Sequence, residues 1–560
     1  MLWRTFQRMG APDGMTEGAG LLRRWMWALD GFAKSLAGSP LPGPGEWYWL
    51  PSRVIPAPGD VEPITEFPLF TFLYSDLHAH MIVLMLALFV IAWGLSFVLA
   101  MRNAGKQVDT YTGRQVDTYT GRQVDTYTGR QVDTYTGRQV DTYTRTQVDT
   151  EHGTRNHALS EVEGTQHREA SLWDGTPNSQ LASPNPRLAS PNPQHATLIT
   201  DYWSLITFPI VFGALVLGAL YPTNTWDAFT YMPLAAIAVA YALFNAFPVG
   251  GWKPLLRVQS QPTLTKAGQP TEVGFANVGA TLVARLTFSL AGALTLLALA
   301  RIFYQPYFYW FGSGYGQIDA WRGGHTPLSS YFTHWGVFLF LIFAWMVWET
   351  REWMASTPLS SLTKLKPYQL IVELSLAAFF VTLIYLLYRG AVISLIALPM
   401  AVWAALLILR PGQSDAKRWV LFMVGTSLVL TIAVEVVVLV GDIGRMNTVF
   451  KLYLQAWTML AVSAAAALGW TLPAVPRWRT RWRGIWQVGL TLLLAGAAFF
   501  TVTGTLDKIR DRMNSEVPHT LDSMTYMETS TFWDSVDMRL GQDYRAIRWM
   551  QDNAQGSPVI

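Results

Sequence analysis

Two histidines and two carboxylates lie close together in the sequence, just before an apolar stretch. They are Glu66, Asp76, His78 and His80, and the apolar stretch covers residues 81–101. An extended segment places Asp76, His78 and His80 on one face, whereas a helix places Asp76 and His80 on one face. Carboxylate and imidazole groups bind divalent cations, so the spacing predicts a metal site made by Asp76, His78 and His80. Manganese fits this mixture best and magnesium is the second choice, with Asp76 and Glu66 as candidate catalytic carboxylates.

The same stretch also has a simpler interpretation. Ser75 and Asp76 before an apolar run are typical of a helix N-cap, which needs no metal. Capping accounts for Ser75 or Asp76, but it gives no reason for two histidines in the first turn. Because about 20 apolar residues cross a bilayer, the cluster is expected at a membrane surface in either case.

Five other polar residues are candidates for substrate binding: Arg53, Asn224, Asp227, Arg445 and Lys451. The cations could hold a phosphate through charge-assisted hydrogen bonds, while Asn224 and Asp227 follow the end of an apolar stretch. Each has an alternative. Arg53 stands beside tryptophans and could be an interfacial anchor, Asn224 and Asp227 could form a plain turn, and Arg445 and Lys451 could snorkel to the interface.

Three more titratable residues lie in or near predicted spans. Glu435 lies inside an apolar stretch, where a carboxylate is costly unless it faces a polar cavity, so it is a site or packing-specificity residue. His325 and His334 belong to the region around a long loop, and their roles stay open because loop histidines are usually solvated.

The composition excludes several classes of protein. Of the 560 residues, 51% are hydrophobic, only 14% are charged and 25 are tryptophan, which predicts a mainly α-helical, polytopic membrane protein. The net charge of +3 is spread among loops, so nothing indicates a nucleic-acid partner. The absence of cysteine excludes disulfides, thiolate nucleophiles and zinc–thiolate sites.

Apolar stretches bounded by charge, proline or glycine predict about ten transmembrane helices. They cover residues 81–101, 204–221, 227–247, 280–303, 333–349, 368–388, 390–409, 418–440, 450–470 and 485–505. The chain divides accordingly into a loop region with the Asp/His motif (1–80), a first transmembrane helix (81–102), an insert (103–198), a nine-helix region (199–505) and the start of a soluble domain (506–560). Amphipathic helices are expected at Leu21–Ala33 and Tyr544–Asn553, and a strand from Gly556.

The insert at 103–198 consists largely of repeats. An eight-residue unit recurs from Lys106, and a seven-residue duplication covers 181–194. Units this short and polar cannot bury a core, which predicts a disordered insert without catalytic residues. A β-ribbon built from the Val-Asp-Thr-Tyr-Thr alternation is the alternative.

Lysine and arginine are concentrated on one side of the predicted topology. With ten spans, that side collects Arg114, Arg122, Lys253, Arg257, Lys266, Arg351, Lys364, Lys366, Arg410, Lys417, Arg418, Arg477, Arg479, Arg481 and Arg483. By the positive-inside rule this side is cytoplasmic. Both termini and the Asp/His motif are then external, and the insert is cytoplasmic, in a multi-pass protein of the cell membrane.

Several separated motifs together resemble the YYY-type family of integral membrane proteins of unknown function. They are Thr65–Pro68 with Ser75–His80, Asn224–Asp227, Arg445–Lys451, and Thr520–Asp522 before Ala546–Trp549. The resemblance covers the chain apart from the insert and corresponds to the C-terminal portion of the family's pattern. The start of the chain, external and without a preceding span, and a final strand without a sheet indicate the same truncation.

That family is grouped with the GT-C superfamily of membrane glycosyltransferases. The resemblance therefore implies a GT-C-like fold and transfer of a sugar from a lipid-phosphate donor at the external membrane face. It also implies a divalent metal, because Asp76-Leu77-His78 is similar to an Asp-x-His metal motif of that superfamily. The alternatives are a transporter or flippase of a lipid-linked substrate, or a non-catalytic membrane protein. No internal duplication typical of many transporters is visible, which favours the enzyme.

Overall fold

Long apolar helices make up most of the protein in a computed structural model. The structure describes residues 6–7, 9–11, 20–39, 48–74, 78–116, 193–246, 275–312, 317–513, 516–518, 520–522 and 524–556. The α-helices of six residues or more are α1 (Leu21–Leu36), α2 (Pro68–Tyr74), α3 (Ala79–Val116), α4 (Pro193–Ala246), α5 (Phe275–Phe303), α6 (Gln305–Trp310), α7 (Leu328–Ser356), α8 (Gln369–Tyr388), α9 (Ser394–Ile408), α10 (Asp415–Val436), α11 (Met446–Thr471), α12 (Thr480–Arg512) and α13 (Leu540–Asn553).

The predicted mainly α, membrane-spanning class is confirmed. Among the described residues, eight helices are long and apolar enough to cross a membrane. One of them, 204–246, contains two of the predicted spans, because the backbone of α4 is non-helical at Asn224. The predicted span at 390–409 corresponds to α9, an apolar helix of 15 residues. Every predicted span therefore falls on a helix.

Short 3₁₀ helices and two antiparallel pairs of short strands lie between the α-helices. The 3₁₀ helices are Leu50–Ser52, Leu359–Tyr368, Val475–Arg477 and Thr525–Glu528, and the strands are β1 (Ile318–Ala320), β2 (Val437–Leu439), β3 (Thr531–Asp534) and β4 (Val536–Arg539). Strand β1 pairs antiparallel with β2, and β3 pairs antiparallel with β4. The predicted span 418–440 is therefore too long, since α10 ends at Val436 and the next three residues pair as a strand.

Two compact units divide the chain. The first contains residues 1–95, 213–237 and 296–560, and its centre is formed by α7, α9, α10 and α11, which pack side by side. Large aromatic side chains fill that centre, among them Trp335, Trp345, Tyr331 and Tyr453. Helices α8 and α12 expose apolar side chains along most of their lengths, as expected for surfaces that face lipid.

The second unit contains residues 96–212 and 238–295, and those of them that the structure describes belong to α3, α4 and α5. Helices α4 and α5 are in contact within it at Gly292, where an added Cβ would lie 2.2 Å from Leu243 Cδ1 and would displace the end of that leucine side chain. The guanidinium of Arg285 lies over the Phe244 ring at 5.7 Å. Contacts between α4 and α5 thus involve both apolar and cation–π packing.

The regions outside the predicted spans follow the sequence in part. The helix expected at Leu21–Ala33 is present as α1, which continues to Leu36. Helix α13 contains the expected helix at Tyr544–Asn553. Residues 103–116 and 193–198, assigned to the insert, continue α3 and α4 instead. The rest of the insert and the last residues of the expected strand, 557–560, lie outside the described residues.

Candidate functional site

Three helices of the first unit bring buried polar side chains together at one end of the bundle. His80 is the second residue of α3, Asp227 follows the break in α4, and Lys451 lies in the second turn of α11. Lys451 Nζ donates to His80 Nε2 across 2.7 Å, and the carboxylate of Asp227 interacts electrostatically with Lys451. A buried acid, a buried imidazole and a half-buried cation therefore meet, and we call these three residues the Asp227 cluster.

One ring nitrogen of His80 is hydrogen-bonded, and the other has no hydrogen-bond partner among the described residues. Its side chain is 5% exposed and its ring packs on Phe450 at 4.1 Å. Because Lys451 donates to Nε2, the ring proton is on Nδ1, and that atom has no hydrogen-bond partner among the described residues. A buried donor without a partner is costly, so this nitrogen is a candidate ligand contact.

The break in α4 gives Asp227 its position. Asn224 has φ −156° and ψ 98°, and its Nδ2 donates to Asp227 Oδ2 at 2.5 Å. The neighbouring hydroxyls of Thr223 and Thr225 donate to the carbonyls of Ala219 and Tyr221, which satisfies acceptors near the break. Asp227 itself is 4% exposed. The sequence named both Asn224 and Asp227 as candidates, and the structure brings them together.

One residue next to the Asp227 cluster was missed by the sequence analysis. Gln455 lies one turn after Lys451 on α11, and its Oε1 accepts a hydrogen bond from Thr230 on α4. Its Nε2 has no partner among the described residues, although the side chain is buried. The spacing of four residues from Lys451 was the available signal, because i and i+4 share a helix face.

Arg445 is buried in a network of polar contacts. Its guanidinium donates to Glu435 Oε1 at 2.8 Å, to the Val434 carbonyl at 2.8 Å and to Thr326 Oγ1 at 3.1 Å. It lies over the Trp321 ring, and its side chain is 1% exposed. These contacts neutralise and enclose the charge, and the predicted substrate contact of Arg445 stays a prediction.

The partners of Glu435 include a histidine that the sequence left open. His325 Nδ1 lies 3.0 Å from Glu435 Oε2, and the backbone N–H and hydroxyl of Thr326 donate to the same carboxylate at 3.0 and 2.5 Å. Since a paired carboxylate only accepts, the Nδ1–H of His325 donates and Nε2 is left for other contacts. His325 is therefore positioned, whereas the sequence suggested a solvated loop histidine.

Glu66 and Arg53 form a partly buried pair. Arg53 Nη1 lies 3.8 Å from Glu66 Oε1, and its guanidinium stacks over Trp49 at 4.4 Å. Burial raises the pKa of the Glu66 carboxyl, and the charge of Arg53 only partly offsets this. The stacking agrees with the anchor interpretation of Arg53, while the predicted catalytic role of Glu66 stays a prediction.

Two of the three predicted metal ligands, His78 and His80, belong to the residues that the structure describes. Asp76 lies outside the described residues, and the rings of His78 and His80 are 5.8 Å apart and nearly perpendicular. Among the residues that the structure does describe, no three His, Asp or Glu side chains come together as a metal site. A dication does not fit at His80 Nε2, because the ammonium of Lys451 occupies that position. The predicted pair of Asp76 and His78 stays a prediction.

A family model for an uncharacterized membrane protein, DUF2298, matches residues 4–119 and 186–460. The chain belongs to this family of membrane proteins. This confirms the resemblance to a membrane family of unknown function. Neither the curated proteins nor the solved structures gave a match.

The DUF2298 match covers both polar networks. It includes His80, Asp227, Lys451 and the partners of Glu435, all within the two matched stretches. The stretch between them, 120–185, falls inside the predicted insert and belongs to the repeat region. The Asp227 cluster therefore lies in the part of the chain that the family model matches.

Proposed function

We propose that this DUF2298 protein is a membrane glycosyltransferase that transfers a sugar from a lipid-phosphate donor. The observation that carries the proposal is the Asp227 cluster, in which a buried carboxylate lies beside the Lys451 ammonium and the His80 imidazole. Polar groups buried in a membrane protein are costly and usually functional. Unpartnered donors on His80 and Gln455 support a ligand there.

Each group has a role in the proposed transfer. The acceptor hydroxyl gives its proton to the Asp227 carboxylate while its oxygen bonds to the anomeric carbon of the sugar. The bond from that carbon to the phosphate oxygen breaks, and its electron pair leaves on the lipid phosphate. Lys451 offsets the negative charge that develops on this leaving group, and His80 Nδ1–H and Gln455 Nε2–H donate to donor oxygens.

The proposal includes the GT-C-like fold and an external location of the Asp227 cluster in the cell membrane. The positive-inside distribution of lysine and arginine supports that orientation. Asp76 and Glu66 remain proposed catalytic carboxylates on the same external side of the membrane. No step here depends on a metal ion, because the described ligands do not fit one at His80.

Asp227→Asn tests the transfer. The substitution keeps the shape and one oxygen that can accept from Asn224 but removes the base, so donor consumption should fall by about 10²–10⁴-fold. The assay follows release of sugar from a radiolabelled polyprenyl phosphate hexose by the purified protein in detergent, with water or added polyols as acceptor. Asp552→Asn is the matched control, because Asp552 is exposed on α13.

Two results would contradict the proposed transfer. One is a wild-type protein that consumes no lipid-linked hexose, and the other is Asp227→Asn with wild-type turnover. Movement of the same lipid across reconstituted vesicles without any transfer would favour the transporter or flippase.

A further inference from the structure

A cationic pocket is lined by residues that do not belong to the Asp227 cluster. Its volume is about 410 Å³, within the range of small-ligand sites, and it is lined by Ala320, Arg322, His325 and Arg389. Two guanidinium groups and an imidazole thus face a space whose lining contains no acid. We call this space the arginine pocket.

The side chains of the arginine pocket are held in place from outside it. Arg389 donates to the Trp321 carbonyl at 2.6 Å and to the Tyr385 hydroxyl at 3.1 Å, which leaves further guanidinium N–H groups for a ligand. His325 is fixed through Nδ1 by Glu435. Arg322 is exposed. The pocket therefore has two positioned groups and one that is free to close on a ligand.

Glycine at position 390 is needed for this arrangement. Gly390 has φ +90°, and an added Cβ would lie 2.9 Å from His325 Cδ2. Only glycine readily adopts this backbone conformation, and only glycine leaves room for the imidazole. The turn between α8 and α9 therefore supports both Arg389 and His325.

Nearby acids do not cancel the positive charge of the arginine pocket. Glu435 faces His325, but it is already paired with Arg445 and hydrogen-bonded by Thr326. Asp319 on β1 is exposed and accepts from the backbone N–H of Ala320. Arg322 and Arg389 thus remain available for an anion, and the forked donors of arginine suit phosphate oxygens.

An apolar groove is built by the same two chain segments. Its volume is about 600 Å³, and it lies among α7, α9 and α12, with Phe332, Leu395 and Leu493 in its walls. Phe332 comes seven residues after His325 and one turn into α7, while Leu395 comes six residues after Arg389 and near the start of α9. The cationic residues stand at the helix ends, and the apolar walls follow along the helices.

This order of charge and apolar surface matches the two parts of a lipid. We propose that the arginine pocket and the apolar groove together bind a membrane lipid whose head group is a phosphate. The phosphate contacts Arg322, Arg389 and His325 Nε2, and the hydrocarbon chain lies along α7, α9 and α12. The inference rests on these two features alone, so it holds for a lipid-binding protein with or without transferase activity.

The test measures binding of a polyprenyl monophosphate to the purified full chain by native mass spectrometry, with the uncharged polyprenol for comparison. Arg322→Gln should weaken phosphate-lipid binding on the order of tenfold, because it removes a charge-assisted contact. Arg351→Gln is the matched control, since Arg351 is an exposed arginine on the same helix as Phe332 but at its other end.

A second pair of variants tests the groove. Gly336 lines the groove and an added Cβ would meet nothing within 4 Å, so Gly336→Leu should fold and fill the space for the hydrocarbon chain. It should weaken binding of the lipid but not of inorganic phosphate. Gly496→Leu is the control, because Gly496 on α12 also has open space around it and is not among the groove residues.

The outcomes of these measurements distinguish a lipid phosphate from a water-soluble phosphate ligand. Loss of lipid binding in Arg322→Gln and Gly336→Leu, with both controls unchanged, supports the proposal. Equal binding of polyprenol and polyprenyl phosphate, or no effect of Arg322→Gln, overturns it. Inorganic phosphate that binds tightly while Gly336→Leu leaves lipid binding unchanged also overturns it, in favour of a water-soluble phosphate ligand.

Discussion

Arginine residues at the same end of the bundle have opposite roles. Arg445 is enclosed and paired with Glu435, whereas Arg322 is exposed beside the arginine pocket. The difference comes from the partner, since a buried guanidinium must be neutralised and an exposed one need not be. Glu435 also accepts a hydrogen bond from His325, which lines the arginine pocket. The stability of the pair of Glu435 and Arg445 therefore affects the position of that imidazole.

Breaking the pair of Glu435 and Arg445 should destabilise the protein strongly. Arg445→Met leaves an uncompensated buried carboxylate, which costs about 3–5 kcal/mol. The double variant Glu435→Leu, Arg445→Met should recover much of this loss, because it removes both charges together. Thermal unfolding of the purified variants measures both effects, and a double variant less stable than Arg445→Met alone would contradict the argument.

Glu66 should make stability fall with rising pH. Burial raises its pKa in the folded protein above the ordinary value, so between the unfolded and folded pKa values the folded state binds more protons. The stability contribution is complete below the unfolded pKa and is lost as pH rises through the folded pKa. Glu66→Gln removes this titration, so its melting temperature relative to the wild type should increase as the pH rises above the unfolded pKa of about 4.3.

The charge of Arg53 acts on the same titration in the opposite direction, because it stabilises only the ionised form of Glu66. The slope of the difference in melting temperature against pH therefore shows which of the two, burial or the charge of Arg53, dominates. A difference that shrinks as pH rises would show that the charge of Arg53 dominates over burial.

At the scale of elements, the turn between α8 and α9 is the most constrained. Gly390→Ala should destabilise the protein by about 1–3 kcal/mol, because alanine is strained at φ +90° and its Cβ would contact His325. Gly496→Ala in α12 has open space and a helical backbone, so it should be neutral or stabilising by up to about 1 kcal/mol. Thermal unfolding of the two variants gives the signs, and equal effects would contradict the argument.

The helices could be predicted from the sequence because a span leaves a local signal of about 20 apolar residues. The pairing of β1 with β2 could not, because three-residue strands far apart in the chain leave no such signal. The same holds for the candidate site. His80, Asp227 and Lys451 were each named, but the contact between His80 and Lys451 joins residues 371 positions apart.

At the scale of the whole molecule, the two ends of the first unit differ in their cations. At the end away from the Asp227 cluster, Arg410 and Lys417 both bind the buried carboxylate of Glu349. Arg477 lies over Trp348 at 5.3 Å at that same end. These contacts place several residues of the predicted cytoplasmic set close together, as the alternation of spans requires.

Single cysteines can test which end faces the cytoplasm, because the natural chain contains none and gives no background labelling. Gly312→Cys marks the loop on the side of the Asp227 cluster, where a side chain would meet nothing within 4 Å. Thr120→Cys marks the repeat region. An impermeant maleimide should label Gly312→Cys in intact cells, and Thr120→Cys only after the membrane is permeabilised, because the lysine and arginine bias predicts that the repeat side is cytoplasmic. Labelling of Thr120→Cys in intact cells would reverse the orientation and place the Asp227 cluster in the cytoplasm.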